Sequence, residues 1–292
     1  MIARRPGTRP RRGRVRARPA PTVKRASARR RFSARRALAA LTLVASGLAI
    51  YGLAASPAFA VRGISTSGAD LTGEAAVLAA LSLPTPAAGP DGEQGGVSIV
   101  TLRTAPLAAR IAALPTVASA VVSASLPDAL EVAVTEREPI LVWEAQGRRW
   151  LVDRDGRVLA DASSAGATAA AVQAAQGLPV IVDGRKGSAT LAPGSAIDRI
   201  DLDVATRLAS LTPGDIGSTA EDLVVSVADP TGWSLSVPDG WEAVFGFYPG
   251  SIRPPDLIPE QVRLLRSLLG VREDRLKRAI LASGESGTYS LR

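Results

Sequence analysis

The sequence contains no cysteine and no histidine, and only 4% of its 292 residues are aromatic. Without cysteine there can be no disulfide, no thiolate metal site and no cysteine nucleophile. Without histidine the commonest catalytic base and metal ligand is missing, which excludes Ser-His-Asp hydrolysis and imidazole-bound zinc. An enzyme would have to work with carboxylates alone. We therefore expect a protein that is not an enzyme and that needs no cofactor or metal.

The charge of the chain is divided very unequally. Residues 1–36 hold fourteen Arg and one Lys without any acid, whereas the rest has 20 basic and 27 acidic residues. Arg and Pro with few large apolar residues cannot build a core, which predicts a disordered basic tail over residues 1–36. Nucleic-acid binding is one interpretation of this tail. Because an apolar run follows directly, we favour a cytoplasmic tail that contacts anionic membrane lipid without specific nucleic-acid binding.

The apolar run covers residues 37–61 and carries no charge. As a helix, 25 residues would span roughly 37 Å, enough for a hydrocarbon core of about 30 Å. The many cations before the run and only Arg62 just after it place the N-terminus in the cytoplasm. This predicts a type II single-pass membrane protein whose remaining domains are extracytoplasmic.

A cleaved export signal is the alternative to an uncleaved anchor. Ala58-Phe59-Ala60 fits the A-x-A pattern of a signal-peptidase site, and Arg29-Arg30-Arg31-Phe32 loosely resembles a twin-arginine signal. Cleavage after Ala60 would release the folded part. The apolar stretch of a signal peptide has about 7–15 residues, and this one is longer, which favours the anchor.

Residues 62–138 have the pattern of a small α+β domain. Thr72 is placed to cap the first helix, and Pro127-Asp128 is a turn between the last two strands. The predicted elements are a strand at 61–68, a helix at 74–81, a loop at 84–96, a strand at 97–102, a helix at 106–113, and strands at 117–126 and 130–136. The order β-α-α-β-β predicts two helices on a small sheet.

Residues 139–292 predict a second domain, a mixed β-sheet with helices on one face. Apolar residues at helical spacing indicate helices at 197–211 and 259–269, the second ended by Gly270. The predicted strands are 141–145, 149–153, 179–182, 223–227, 233–237, 241–245, 275–282 and 288–291. No element is predicted in the Ala-rich stretch 160–175.

Several fragments together resemble the FtsQ/DivIB family of bacterial cell-division proteins, which carry an FtsQ-type POTRA domain. The matching fragments are Phe59-Ala-Val-Arg-Gly-Ile64 with Gly68, Leu114-Pro115-x-Val117-x-x-Ala120-x-Val122, Leu126-Pro127-x-x-Leu130-x-Val132-x-Val134, Thr135-Glu136-Arg137-Glu138-Pro139 with Trp143, and Leu151-Val152-Asp153-x-Asp155-Gly156. Their order behind a basic tail and one span is specific. The loop 84–96 and the stretch 160–175 depart from the family pattern.

The resemblance implies a non-enzymatic divisome scaffold, concentrated at the septum, that links early and late division proteins. Its implied partners are FtsB/DivIC-like and FtsL-like proteins docking at the C-terminal sheet edge, with septal wall synthases as further candidates. Carried to this chain, the partner-binding residues are Ala279, Ile280, Leu281, Ala282 and Tyr289. An inter-domain hinge is implied at Glu136, Arg137 and Pro139.

Other side-chain groups have residue types that could form reactive sites. Asp153 and Asp155 are a carboxylate pair in a turn, and the acids at 198, 201 and 203 stand at a helix start, where negative charge is favourable. Lys186 and Ser188 lie in a Gly-rich turn, where an exposed lysine is no base. These groups give little support to a secreted wall hydrolase, and the absence of barrel strands argues against a transport subunit.

The aromatic residues near the C-terminal sheet have two interpretations. The residues concerned are Trp233, Trp241, Phe245, Phe247 and Tyr248. Aromatic side chains are enriched at binding hot spots. On a small sheet they more often fill the core, and we predict a core role here.

Overall fold

The structure is a computed structural model that describes residues 34–54, 56–83, 87–88, 94–95, 97–249, 252–283 and 286–292. Almost all of the predicted basic tail and most of the predicted loop 84–96 lie outside the described residues. The chain divides into two units, Met1–Ile50 and Tyr51–Arg292.

The apolar run forms helix α1, Ala34–Ala54, which has 21 residues and a length of about 31 Å. Its segment Ala34–Gly52, with a mean hydropathy of 1.2, is long and apolar enough to cross a membrane, and none of it is buried in protein. The helix ends seven residues before the predicted boundary at Val61. Pro57 explains the difference, because the residue before a proline avoids helical geometry.

The residues after α1 belong to the folded part of the chain. A 3₁₀ turn covers Pro57–Phe59, and Ala60 is buried and forms a β-bridge with Ser98. The carbonyl oxygen of Phe59 accepts a hydrogen bond from the N–H of Ile99 at 2.8 Å. The predicted strand at 97–102 is wrong beyond this bridge, because the chain turns back there and the Thr101 N–H bonds to the Ser98 carbonyl at 3.2 Å.

The small sheet confirms the β-α-α-β-β order. Its strands are β1 Gly63–Ser67, β4 Val117–Ser125 and β5 Ala129–Glu136, in the order β1-β5-β4. Strand β1 runs parallel to β5, and β4 runs antiparallel to it. Helices α2, Glu74–Leu81, and α3, Thr104–Ala112, pack on the sheet through buried Val77, Leu81, Leu107 and Ile111. A two-stranded ribbon, β2 Ala87–Ala88 with β3 Gln94–Gly95, follows α2.

The large sheet has nine strands among the described residues. They are β6 Pro139–Ala145, β7 Arg148–Asp153, β8 Val158–Asp161, β9 Val180–Asp183, β10 Val224–Ala228, β11 Gly232–Ser236, β12 Glu242–Gly246, β13 Leu276–Leu281 and β14 Gly287–Leu291. The spatial order is β14-β13-β12-β11-β10-β9-β6-β7-β8. The pairs β6–β9, β9–β10 and β12–β13 are parallel and the others antiparallel, so the sheet is mixed as predicted.

Helices α5, Arg199–Ala209, and α7, Ile258–Arg272, cover one face of the large sheet, as predicted. A short helix α6, Pro213–Ile216, follows α5. The core on this face contains Trp143 and Trp233, whose rings meet edge to face with centroids 6.0 Å apart. Helix α7 runs past the predicted end, so Gly270 lies inside it.

One helix, α4 (Ala169–Gly177), packs on the other face of the large sheet. Its buried residues Ala171 and Ala175 lie in one cluster with Val142, Leu151 and Leu159 of β6, β7 and β8. The helix occupies part of the Ala-rich stretch in which no element is predicted. Alanine contributes no large apolar stripe, which is the usual signal of an amphipathic helix.

Candidate functional site

The C-terminal end of the large sheet is a free strand edge. Strand β13 lies between β12, to which it is parallel, and β14, to which it is antiparallel. In the part of the chain that the structure describes, β14 has a neighbour on one side only. Ala279 stands opposite Ala243 and Tyr289, and the next residue, Ile280, stands opposite Val244. The backbone of β13 is therefore paired on both sides, and the available edge belongs to β14.

The predicted partner-binding residues divide into buried and accessible side chains. Ala279 and Leu281 are 0% and 1% exposed and belong to the core under α7. Ile280 and Tyr289 are 46% and 45% exposed, and Ala282 is also exposed. Only these three could touch a partner through their side chains. Ala279 and Leu281 instead anchor the strand on which β14 is built.

Strand β14 is fastened to α7 through Tyr289. The Arg272 guanidinium donates a hydrogen bond to the Tyr289 hydroxyl and lies 5.0 Å from the centre of its ring. Gly287 begins the strand where a Cβ would stand 2.6 Å from the Ile280 carbonyl oxygen. A side chain there would push β14 away from β13. Tyr289 therefore has a positioning role in addition to its exposed surface.

Gln261, on α7, is completely buried and holds the end of β13 in place. Its Nε2 donates to the carbonyl oxygens of Leu281, at 2.6 Å, and Phe245, at 3.3 Å. Its Oε1 accepts from the Tyr248 hydroxyl at 2.6 Å. Burial raises the pKa of Tyr248, so this hydroxyl stays protonated as a donor. Arg253 adds a second bond to the Leu281 carbonyl oxygen at 2.7 Å.

The sequence interpretation missed Gln261, although a signal was present. Gln261 lies four and eight residues before Leu265 and Leu269, so it falls on the buried stripe of its own helix. A polar residue on such a stripe indicates a buried hydrogen-bonded partner, because burying an amide without one is costly.

The predicted hinge residues are tightly bonded on both sides of the junction. The Glu136 carboxylate accepts from the N–H of Leu71 at 2.8 Å and from the N–H and hydroxyl of Thr72 at 2.6 and 2.5 Å. Thr72 therefore does not cap α2 as predicted, and the capping position is Gly73, which has no side chain to offer. The Thr72 hydroxyl lies 2.7 Å from that of Thr116.

Arg137 binds the large sheet. Its guanidinium contacts Asp153 at 2.9 Å and Asp155 at 3.4 Å, and Asp153 is 3% exposed. The other Asp153 oxygen accepts from the N–H groups of Asp155 and Arg157 at 2.9 and 2.8 Å. Pro139 starts β6 opposite Asp153, next to a register shift. Asp153 is thus committed to the turn and to Arg137.

The acids at the start of α5 each have their own partner. Asp198 caps the helix by accepting from the N–H groups of Ile200 and Asp201. Asp201 contacts Arg185 at 2.7 Å, and Asp203 contacts Arg207 at 2.8 Å. Among the described residues, no group of three potential ligands could hold a metal ion.

In the turn containing Lys186 and Ser188, Lys186 is exposed as predicted. Ser188 is buried, and its hydroxyl donates to the Arg185 carbonyl oxygen at 2.6 Å. Arg185 folds back onto buried Asp183, which also accepts from the indole N–H of Trp143 at 3.0 Å. Burial opposes the charge of Arg185, but bonds to Asp183 and Asp201 outweigh it and raise its pKa. The arrangement is a structural ion-pair network.

The aromatic group belongs mainly to the core, as predicted. Trp233, Trp241, Phe245 and Tyr248 are all at most 5% exposed, and only Phe247, at 39%, faces solvent. These rings support the sheet from which β14 extends.

Comparison with known proteins identifies the small sheet. Residues 91–137 match the family described as "POTRA domain, FtsQ-type". This stretch includes α3, β4 and β5 of the observed β-α-α-β-β fold. Over 182 residues the chain is 28% identical to "Cell division protein FtsQ" of Chloroflexus aurantiacus. Over 116 residues it is 34% identical to "Cell division protein FtsQ" of Mycobacteroides abscessus.

In the matched stretches the chain resembles the FtsQ/DivIB family. The matched stretches cover 62% and 40% of this chain and 59% and 34% of the two relatives. The chain thus combines an FtsQ-type POTRA domain, a large β-sheet and one candidate membrane-spanning helix, and both of these relatives are named as cell-division proteins.

Proposed function

We propose that this FtsQ-family chain is a non-enzymatic, membrane-anchored scaffold that links early and late division proteins during septum formation. The observation that carries the proposal is the open edge at β14, whose five residues are all exposed and uncharged. An unpaired edge of this kind can accept a strand from another protein by β-augmentation.

The proposed partners at this edge are FtsB/DivIC-like and FtsL-like division proteins. A partner strand would extend the sheet beyond β14, with Ile280, Ala282 and Tyr289 as accessible side chains next to it. Septal wall synthases are further proposed partners, with the POTRA domain as their docking module. The edge offers backbone hydrogen bonds and a shaped surface, which is what a scaffold needs.

The proposed topology is type II, with α1 as an uncleaved anchor and the protein concentrated at the septum. The excess of Arg before α1 supports a cytoplasmic N-terminus. The place of Ala60 supports an uncleaved chain, because Phe59 and Ala60 are built into the fold next to Ile99 and Ser98. Cleavage after Ala60 would remove both residues from the structure.

We further propose domain boundaries at 62–138 for the POTRA domain and 139–292 for the β-domain. Between them Glu136, Arg137 and Pro139 form the junction. The hydrogen bonds of Glu136 to Thr72 and of Arg137 to Asp153 support a braced junction. A force applied to one domain would then be transmitted to the other.

The test is binding of the FtsB/DivIC-like protein from the same organism to charge variants of the chain. Ile280→Lys and Thr288→Lys place cations on exposed positions that face each other on β13 and β14. Val100→Lys is the matched control, because Val100 is 52% exposed against 46% for Ile280 and lies in the POTRA domain. We expect affinity at least about tenfold weaker for the double edge variant and unchanged for the control.

Unchanged affinity in the double edge variant would refute the proposed docking edge. Deleting residues 276–292 would be a poor test, because it also removes Leu276, Ala279 and Leu281 from the core. An N-terminal fluorescent fusion, sized on a blot, tests the anchor and the location separately. We expect a full-length band on the blot and fluorescence concentrated at the septum. A short band that contains only the tail would support the secreted alternative.

A further inference from the structure

The outer edge of β4 in the POTRA domain is long, uncharged and unprotected. The sheet order β1-β5-β4 places β4 at one end, and the strand has nine residues, Val117–Ser125. The other edge strands of the two main sheets, β1, β8 and β14, have five, four and five residues. Strand β4 reads VASAVVSAS, with no charge and no proline. Edge strands usually carry charged residues or proline, because these residues prevent pairing with another chain.

No strand among the described residues pairs with this outer edge of β4. A register shift distorts the strand only near Val117 and Ser119, and the ladder with β5 is regular from there to Ser125. Val121, at the middle of the strand, is 63% exposed on the face turned away from the helices. Ser119 and Ser123 flank it on the same face, and both are exposed.

The sequence of β4 is self-complementary in antiparallel pairing. If Val121 stands opposite Val121 of a second copy, Ser119 stands opposite Ser123, and Ala120 stands opposite Val122. Ala118 then stands opposite Ala124. Each of these pairs matches in polarity, and each residue points to the same face as its partner. The end pair, Val117 with Ser125, does not match, and Val117 lies at the register shift. Serine pairs and β-branched pairs are favourable across antiparallel strands.

We propose that two copies of this chain associate through their β4 strands, in antiparallel register about a two-fold axis at Val121. The two POTRA sheets then form one six-stranded sheet, and each exposed Val121 covers the other. Such an isologous contact uses the same surface on both copies and closes as a dimer. The charge-free edge from Ala118 to Ala124 is complementary to its own copy and offers no feature that selects a charged partner.

The contact is small, so confinement to a membrane matters. A single strand pair buries far less than a standard interface of about 1,600 Å². Two chains held in one membrane by α1 meet at a high effective concentration, which strengthens a weak contact. The proposal therefore concerns the full chain in a bilayer, and its strand pairing does not depend on the partner edge at β14.

Because the chain has no cysteine, single introduced cysteines report the register directly. The full chain is reconstituted into phospholipid vesicles and treated with the mild oxidant copper phenanthroline. Val121→Cys is expected to give a disulfide-linked dimer, because directly opposed residues have Cα atoms about 4.5–5.5 Å apart. Ser119→Cys mixed with Ser123→Cys should also cross-link. Ser119→Cys alone should not, because its copies would be four residues, roughly 13 Å, out of register.

Two controls separate strand pairing from random collision. The Val100 side chain is 52% exposed and lies in the same domain but outside β4. The Val100→Cys variant should therefore cross-link at least about tenfold less than Val121→Cys. Adding Val121→Lys to the Ser119→Cys and Ser123→Cys chains places two cations face to face and should abolish their cross-link. Far-ultraviolet circular dichroism is expected to stay unchanged, because Val121 is exposed.

Three results in vesicles and one in cells would overturn the proposal. One is equal cross-linking of Val121→Cys and Val100→Cys. Another is efficient cross-linking of Ser119→Cys with itself, which would show a different register. The third is a cross-link that survives Val121→Lys. If, in cells, Val121→Cys cross-links only to a different protein, the β4 edge has another occupant and the homodimer is likewise refuted.

Discussion

The Glu136 carboxylate and the Thr72 backbone N–H are hydrogen-bonded at 2.6 Å, although 64 residues separate them in the chain. The bond ties the end of β5 to the loop that leads into α2. Leu71, the residue before Thr72, packs with the cluster under α4 on the large sheet. The same short region therefore contacts both sheets. Its hydrogen bonds and its packing support the proposed bracing of the junction.

Replacing Glu136 with Gln should destabilise the folded part by about 2 kcal/mol, because an amide N–H₂ would face backbone N–H donors that now have an acceptor. Urea unfolding of a fragment covering residues 56–292 measures the change. Glu138→Gln is the control, since the Glu138 side chain is 80% exposed and its ion pair with Arg154 spans 3.7 Å. The control should stay within about 0.5 kcal/mol of the parent. Equal effects of both changes would contradict the bracing role.

Removing the residues between α1 and β1 should weaken the fold. A fragment that begins at Val61 lacks Phe59 and Ala60. It therefore loses the hydrogen bond from the Ile99 N–H to the Phe59 carbonyl oxygen and the packing of the Phe59 ring. We expect it to be roughly 1–3 kcal/mol less stable than a fragment that begins at Ser56. Thermal unfolding of the two fragments measures this. Phe59→Ala in the longer fragment separates the ring from the backbone bond, and equal stability of all three would contradict the prediction.

Gln261→Ala should cost about 3 kcal/mol, because it leaves a cavity and removes a donor from two buried strand carbonyls and an acceptor from Tyr248. Amide hydrogen exchange should show the loss first in β13 and β14. Gln173→Ala on α4 is the matched control, because Gln173 is exposed and should change stability by less than about 0.5 kcal/mol. Uniform loss of protection over the whole sheet would argue against a local clamp.

Glu273 should make the fold more stable above its ordinary pKa of 4.5 than below it. Burial opposes its ionisation, but hydrogen bonds from Ser218, Thr219 and Trp241 outweigh burial and lower its pKa. A carboxyl whose pKa is lower in the folded state contributes stability that is present above 4.5 and lost as the pH falls through the folded pKa. The contribution is at most about 1 kcal/mol because water screens the group.

Urea unfolding of the parent and Glu273→Gln between pH 3 and pH 7 checks this expectation. The parent should be the more stable protein at pH 7, and the difference should shrink as the solution is acidified. A difference that is constant with pH would mean that the charge of Glu273 contributes nothing.

Local sequence patterns predicted most helices and strands. Where the prediction failed at Thr72, the cause was a contact with a residue distant in the chain. Helix α2 has the bounds that its sequence predicts, because Glu74–Leu81 is an apolar run of good helix formers. Thr72 was predicted as its cap by a local rule, yet its hydroxyl is taken by Glu136 from a distant strand. Helix α4 was not predicted, because its many alanines do not form a stripe of large apolar residues.

The candidate edge was located by resemblance to the family, whereas its details needed the structure. Strand alternation places Ala279 and Leu281 on the face opposite Ile280, but all three residues are apolar, and only the packing of α7 shows which face is buried. The clamp at Gln261 likewise joins groups on different elements. Sequence patterns identify a strand, but only tertiary pairing shows which of its sides a partner can reach.

The parallel pairing of β12 and β13 determines what must be in place before the proposed docking edge exists. Helix α7 connects β12 to β13, and among the described strands β14 pairs with β13 alone. These are the last two strands in chain order, so they leave the ribosome after every other strand of the sheet. A partner strand arriving early would find no edge to extend. Under the proposed function, recruitment through β14 would thus be restricted to molecules whose large sheet has formed as far as β14.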